Sequence, residues 1–424
     1  MKLYTESDNY KLYQGNMLDM LEVIEANSID SIVTDPPYEL NFMSKKWDNA
    51  GISFQKETWQ KCYEVLKPGG YLLAFGGSRT FHRIACAIED AGFEIRDTIM
   101  WLYGSGFPKS MNIGLAIDKK NGVESPIINT GKSGVSSRAY QSEKTTTAGQ
   151  YEIKKAQNKW KGWGSALKPS YEPIIVARKS FKSSLVDNVI KYGVGGINID
   201  ECRIETTDIN RKGGATTNGN LGWKPSTKTY NAGRFPANTI LTYDETDFDE
   251  VCGGFPDTKN KNTKGTYSGK NKPSKNINIG GGVITSFYDD SGSASRYFMN
   301  CKYTGKDEEI KRYIYTPKAN KKDRDCDGTI KNIHPTCKPQ TLMQYLVRLV
   351  TPNNGIILDP FNGSGSTGKA VMYENKDRKK NYKYIGIELS EEYLEISKAR
   401  INFALEQNEE QKKEEEDQIS LWQD

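Results

Sequence analysis

The chain has 424 residues, with 59 Lys and Arg against 54 Asp and Glu for a formal charge of +5; at roughly 150 residues per domain, that length accommodates two or three units. No stretch approaches the ~20 consecutive apolar residues of a membrane span, and Met1 to Glu6 lack the apolar core of a secretory signal, so a cytoplasmic protein without membrane association is expected. Seven cysteines without a Cys-x-x-Cys pair exclude a disulfide framework and a zinc ribbon, and two histidines, His82 and His334, leave little material for a metal site, so no metal is expected.

The first hundred residues alternate between strand and helix patterns. Lys11 to Gly15 reads as a strand, Met17 to Ala26 as a helix, Ser31 to Thr34 as a strand, and Thr58 to Leu66 as a helix closed by Lys67-Pro68-Gly69-Gly70. Tyr71 to Phe75 is a strand, Thr80 to Ala91 a helix, and Glu94 to Tyr103 another strand. Such alternation predicts an α/β fold, a mostly parallel sheet with helices on both faces. Ligands of such sheets collect at the carboxyl ends of the strands, where Asp35 and Gly76-Gly77 fall.

Periodicity is lost between Ser105 and Pro169. From Ser105 to Lys182 fourteen basic residues stand against five acidic ones, a footprint for a polyanion such as nucleic acid, and Trp160 and Trp163 flank Lys161 there. Glu172 to Ala177 is strand-like. From about Phe181 to Asn332 the sequence is irregular, with glycine clusters and a Lys/Asn run, and is expected to be an inserted unit. Regular patterning returns at Pro339: Gln340 to Val350 has an apolar helical face of Leu342, Met343, Leu346, Val347 and Val350. Ile356 to Leu358 follows as a strand, about Ser366 to Tyr373 as a helix and Tyr384 to Glu388 as a strand. A last helix from near Glu391 runs into a tail, Leu405 to Asp424, with eight acidic residues against two lysines.

Two motifs carry chemistry. Asp35-Pro36-Pro37-Tyr38 places a carboxylate, rigid backbone carbonyls and an aromatic face at a strand end, a socket for a planar amine. An exocyclic amine on adenine or cytosine is a poor nucleophile because its lone pair is delocalised into the ring. Two acceptors gripping its N–H bonds, the Asp35 carboxylate and the Pro36 carbonyl, favour a pyramidal nitrogen and stabilise the charge that develops as a methyl arrives. Prolines bring no N–H to compete, Tyr38 can stack on the ring, and the base must first leave its duplex. The second motif, Asp359-Pro360-Phe361-Asn362-Gly363-Ser364-Gly365-Ser366-Thr367-Gly368, is a glycine-rich turn suited to a small cofactor. A P-loop nucleotidase is the rival reading, since Gly363 to Lys369 satisfies most of Gly-x-x-x-x-Gly-Lys-Ser/Thr. Ala370 stands where that loop needs a hydroxyl, however.

Together these motifs resemble the amino-methyltransferases of DNA, with the target-base motif before the cofactor motif as in their beta group. The resemblance covers both ends of the chain and implies a circularly permuted Rossmann-like methyltransferase fold. The implied units are a catalytic half at 1–180 with a basic insertion at 105–165, a target recognition region at 181–332, a cofactor half at 333–404 and an acidic tail at 405–424. It implies S-adenosyl-L-methionine as cofactor, with Asp359, Phe361, Asn362, Gly363 and Gly365 in its turn. Glu388 would hold the ribose hydroxyls, and Lys338-Pro339, in the segment from His334, would receive the methionine carboxylate at a helix start. The family commonly places an aspartate where Asn16 stands, so Asn16 is expected near the target base without a charge. Lys45, Lys46 and Trp47, in the loop after the socket, are expected to contact phosphate and the flipped base. The implied reaction is methylation of adenine N6 in DNA, with N4 of cytosine as the alternative. DNA is the implied partner, and a homodimer and a cognate restriction endonuclease are further partners that the resemblance allows.

Overall fold

The computed structural model describes residues 2–40, 51–103, 110–132, 150–204, 235–243, 257–259, 264–266, 283–285, 291–293, 299–302, 324–326 and 328–421. Its strands are β1 (Lys2–Glu6), β2 (Tyr10–Gln14), β3 (Ile29–Thr34), β4 (Leu66–Phe75), β5 (Phe93–Tyr103), β6 (Ile127–Lys132), β7 (Gln150–Lys154), β8 (Tyr171–Lys179), β9 (Thr239–Tyr243), β10 (Asp257–Lys259), β11 (Lys264–Thr266), β12 (Val283–Thr285), β13 (Ser291–Ser293), β14 (Met299–Lys302), β15 (Ile356–Asp359) and β16 (Lys383–Glu388). Its helices are α1 (Met17–Leu21), α2 (Lys56–Val65), α3 (Phe81–Asp90), α4 (Ile113–Lys120), α5 (Leu185–Tyr192), α6 (Gln340–Val350), α7 (Ser366–Asp377) and α8 (Glu391–Leu421). None of the described helices is long and apolar enough to cross a membrane.

One ten-stranded sheet runs in the order β1-β2-β16-β15-β3-β4-β8-β5-β9-β14. Strands β2, β16, β15, β3 and β4 pair parallel in that order. β8 lies antiparallel between β4 and β5, which makes the sheet mixed. It enters from the end of the sheet where β5 leaves, with the Tyr103 N–H on the Ser170 carbonyl at 2.9 Å, so it can only run back. Within the stretch expected as an inserted unit, β9 and β14 extend this same sheet beyond β5. β6–β7, β10–β13 and β11–β12 are separate two-stranded pairs.

Alternation along the central strands divides their side chains between two cores. Val33, Leu73, Phe75 and Ile357 pack with α6, α7 and α8, whereas Ile32, Leu72, Ala74 and Leu358 pack with residues of α2 and α3. All six residues of β3 are buried, as a strand covered on both faces requires. α6 is more buried than its apolar face predicts, because its far side meets α7: Arg348 grips Glu374 in a fork, Nε to Oε2 at 3.0 Å and Nη2 to Oε1 at 2.6 Å.

Two local expectations change. The helix expected to reach Ala26 ends at Leu21, where the chain tightens into turns from Val23 to Met20 and Ile24 to Leu21 before Asn27 takes a positive φ of 57°. Lys67-Pro68-Gly69-Gly70 does not close α2 with a loop but already belongs to β4. Gly69, at φ +85°, lies so close to Asn188 that a Cβ would stand 2.2 Å from its Nδ2. Asn188 in turn donates to the carbonyl of Pro68 at 2.9 Å, fixing α5 to the start of the strand.

Removing the partner of a buried charge leaves the other uncompensated. Glu374→Ala is therefore expected to destabilise the protein by about 3–5 kcal/mol in urea unfolding. A loss below about 1 kcal/mol, the range of exposed pairs, would show that the α6–α7 clamp is dispensable.

Candidate active site

The strand order reverses between β15 and β3: the chain continues from one to β16 and from the other to β4, on opposite sides. Ligands of open α/β sheets bind outside the carboxyl ends at such a point, and both sequence motifs begin there. The ends are fastened together by Asp359, whose Oδ1 accepts from Thr34 Oγ1 at 2.6 Å and from the Phe361 N–H at 3.1 Å, and whose Oδ2 accepts from Thr367 Oγ1 at 2.7 Å. Burial, against these hydrogen bonds, pushes the Asp359 carboxyl up to about 6. The residue expected in the cofactor turn thus spends its carboxylate inside the protein.

The socket is held from several sides. Ser53 Oγ donates to the Pro37 carbonyl at 2.6 Å, and Trp59 Nε1 donates to the Ser53 carbonyl at 2.9 Å. Among the described residues no donor reaches the Pro36 carbonyl. Tyr38 gives its hydroxyl to Glu172 Oε2 at 2.8 Å, and Tyr103 gives its own to Glu172 Oε1 at 3.3 Å. Gly77 makes room for the Tyr38 ring, since a Cβ there would lie 3.3 Å from Tyr38 Cδ2.

Lys338, expected on the cofactor, extends to the socket instead. Its ammonium pairs with Asp35 Oδ2, lies 3.7 Å from Glu172 Oε2 and sits over the Phe75 ring at 4.5 Å. Lys338 and Glu172 are almost wholly buried, so each carboxylate draws the ammonium inward. The other oxygen of Asp35, Oδ1, is buried and has no partner among the described residues. A buried carboxylate oxygen left unbonded is costly unless a ligand supplies the donor.

At the second motif, Glu388 ends β16 and accepts the Gly363 N–H on Oε2 at 2.8 Å and the Ser390 N–H on Oε1 at 2.9 Å. Burial raises its pKa. Asn362 turns inward, its Oδ1 taking the hydroxyls of Tyr384 at 2.7 Å and Ser397 at 3.2 Å. Gly365, at φ +74°, is pressed against Ser397, whose Oγ would lie 2.3 Å from an added Cβ. Gly363 faces the His334 ring, and the half-buried Phe361 lies 6.3 Å from Trp59. Below the turn, Arg400 donates to the Ser364 carbonyl at 2.5 Å and to its hydroxyl at 2.8 Å. Burial pushes the adjacent Cys337 thiol up, but Arg400 and His334 bring it down to about 6.

Pro339 is the N-cap residue of α6. Asn16 caps α1 through Leu18 at 3.1 Å, and the neighbouring Gly15 N–H bonds the Glu388 carbonyl, so Asn16 stands beside the second motif rather than Asp35. Lys45, Lys46 and Trp47 lie outside the described residues. Lys369 speaks against a P-loop: it is buried, 3.6 Å from Cys326 Sγ and between the rings of Tyr373 and Phe403, away from any phosphate cradle. Glu172 was not singled out by sequence reasoning, although a lone acid opening the apolar run Pro173 to Ala177 is a signal that a strand end carries a polar task.

A family model described as DNA methylase matches residues 29–399. The chain belongs to this DNA methylase family. Relatives include the type II methyltransferase M.HindIII of Haemophilus influenzae, 23% identical over 231 residues that make up 44% of this chain and 64% of that protein. M.HpaI of Haemophilus parainfluenzae is 35% identical over 106 residues, 24% of this chain and 34% of that protein. The chain thus spans less than two thirds of the length of these relatives. The solved PvuII DNA methyltransferase (cytosine-N4-specific) is 14% identical, covering 94% of this chain and 90% of that one at a TM-score of 0.41, too distant to transfer residue positions.

S-adenosyl-L-methionine is the cofactor of the DNA methylase family and of this chain. The donor set fits it. Each Glu388 oxygen accepts one backbone N–H and, as a carboxylate oxygen, keeps capacity for a ribose hydroxyl, and the Phe361 side chain is half-buried at the same turn.

Because the Asp359 carboxyl is raised, its contribution to stability is present in the acid range below its unfolded value and is lost as pH rises through about 6. Thr34→Val removes a hydrogen bond that favours the ionised form. The variant is expected to lose about 1–3 kcal/mol in urea unfolding at pH 7.5 and distinctly less at pH 5. Equal losses at both would contradict the coupling.

Proposed function

We propose that the protein transfers a methyl group from S-adenosyl-L-methionine to the exocyclic N6 amine of adenine in DNA, taking the base out of the helix. One observation carries the reading: among the described residues no donor reaches Asp35 Oδ1, a buried acceptor, or the neighbouring Pro36 carbonyl, just past the carboxyl end of β3. Two acceptors so disposed fit the two N–H bonds of a planar amine.

The cofactor, when bound, supplies an electrophilic methyl on a sulfonium. Asp35 Oδ1 and the Pro36 carbonyl accept hydrogen bonds from the two amine N–H groups and orient the nitrogen lone pair toward it. As the nitrogen gains positive charge the carboxylate stabilises it, an effect strengthened by burial. Lys338 fixes Oδ2, so the carboxylate cannot swing away from the amine. Glu172 anchors the Tyr38 hydroxyl, so the ring is held where a flipped base can stack. Glu388 would hold the ribose hydroxyls, and the proton that the amine nitrogen sheds once methylated passes to solvent.

The preference for adenine rests on aspartate at the first position of the tetrapeptide, by resemblance. In the same reading residues 181–332 carry target recognition, residues 333–404 the cofactor half, and the protein acts in the cytoplasm. Lys45, Lys46 and Trp47 would meet DNA, and a second copy or a cognate restriction endonuclease would be its protein partners.

The test is methyl incorporation into DNA followed by nucleoside analysis. Wild type is expected to yield N6-methyladenine, and Asp35→Ala to lose about 10²–10³-fold in kcat while binding the cofactor within a few-fold of wild type. N4-methylcytosine would reverse the base assignment, and equal activity of the variant would remove the role of Asp35.

A further inference from the structure

Between β5 and β8 the chain makes an excursion that leaves and re-enters the sheet beside Tyr103 and Glu172, the residues that fix Tyr38. The described part of this excursion is a small unit built around α4 and organised by Asp118. This carboxylate, 2% exposed, accepts from Ser125 Oγ at 2.9 Å, from the Gln157 N–H at 2.8 Å and from Asn158 Nδ2 at 2.6 Å. Asn158 also bonds the Gly114 carbonyl at 2.9 Å, and Gly114 packs so tightly that a Cβ would lie 2.6 Å from that of Ala156. The segment from Lys155 to Trp163 is thereby held in one shape, although most of its side chains are exposed.

That shape leaves a shallow, open cleft of about 400 Å³ lined by Pro126, Lys155, Ala156, Gln157, Asn158 and Lys161. Lys155 and Lys161 line this cleft together, and side-chain contact with Lys155, with its like charge, lowers the pKa of Lys161. Two ammonium groups this close repel each other, and an anion between them offsets that repulsion. The Asp118 carboxylate is committed to hydrogen bonds of the scaffold. From 150 to 168 there are five lysines and one acidic residue, Glu152. Beside the cleft Trp160 and Trp163 meet edge to face at 5.1 Å, with Trp163 60% exposed. Paired lysines with exposed indoles match a nucleic acid strand, which offers phosphate and unstacked base together.

We propose that the Lys155–Lys161 cleft is a binding site for a backbone phosphate of DNA, with Trp163 taking an adjacent unstacked base. The proposal rests on the reading of the protein as a DNA methyltransferase and assigns it a second point of contact. The unit grows from the same end of the sheet as Tyr103 and Glu172, so a strand gripped there is steered toward the socket while the chemistry is left to Asp35.

The test uses the full chain with a labelled DNA duplex and a labelled single strand, with affinity measured over a range of salt concentrations. Lys155→Gln/Lys161→Gln is expected to lower the slope of log K against log salt by about 1 and to weaken binding roughly tenfold at low salt, with cofactor affinity and kcat at saturating DNA within about twofold of wild type. Trp163→Ala is expected to weaken single-stranded DNA roughly tenfold without changing the slope. Lys379→Gln/Lys383→Gln removes the same charge at the amino ends of the strands and is expected to leave the slope unchanged. An unchanged slope in the cleft variant, or an equal change in this control, overturns the inference while methylation by wild type leaves the functional reading intact. If wild type methylates no DNA and the cleft variant still loses slope, the functional reading fails and the cleft stands.

Discussion

Everything in the site depends on the pairing of β3 with β15, two strands more than three hundred residues apart. Ser31 pairs with Ile357 and Ile32 with Leu358, and the ladder is locked at both ends. At the amino end Asp30 accepts the Ile356 N–H at 2.8 Å and Ser31 meets Thr351 at 2.7 Å, and at the carboxyl end Thr34 and Thr367 hold Asp359. A slip of one residue would turn Val33 and Ile32 to the wrong cores and carry Asp35 away from the glycine turn. The buried polar bonds therefore set register, and register is what makes one site from two motifs.

Around that junction the charges are arranged as a chain rather than as isolated groups. Lys338 lies between Asp35 and Glu172, and Glu172 holds Tyr38 and Tyr103. Charges this deeply buried persist only when paired and hydrogen-bonded, so Asp35 Oδ1, without a partner among the described residues, stands out against the engaged oxygens of Glu172. The socket is thus held in place by its own network, as the proposed reaction would require.

Much of the fold was legible because its central strands and helices have clean periods. The strands ending at Thr34, Phe75 and Glu388 and the helix at Gln340–Val350 fall where the apolar pattern puts them. The glycine turn and the tetrapeptide were legible because their residue types are unusual at strand ends. Partners chosen in three dimensions were not legible. Lys338 lies near the glycine turn in sequence yet reaches Asp35 from the segment before α6, and Glu172, far from the tetrapeptide, reaches Tyr38 because β8 folds back between β4 and β5. Likewise Asp359 and Asn362 read as cofactor ligands from sequence, whereas their side chains brace the turn from within. Short apolar runs such as Met17 to Ala26 could not reveal their early stop, because Asn27 and its positive φ act only once the following strand is in place.

The most direct measurement is a crystal structure of the protein with S-adenosylhomocysteine and a DNA duplex carrying its methylation site. The account predicts an extruded base over Tyr38 whose amine nitrogen lies about 2.7–3.2 Å from Asp35 Oδ1, with the Lys338 ammonium still on Oδ2. A base bound elsewhere, or an Asp35 Oδ1 occupied by a side chain of the protein itself, would contradict it.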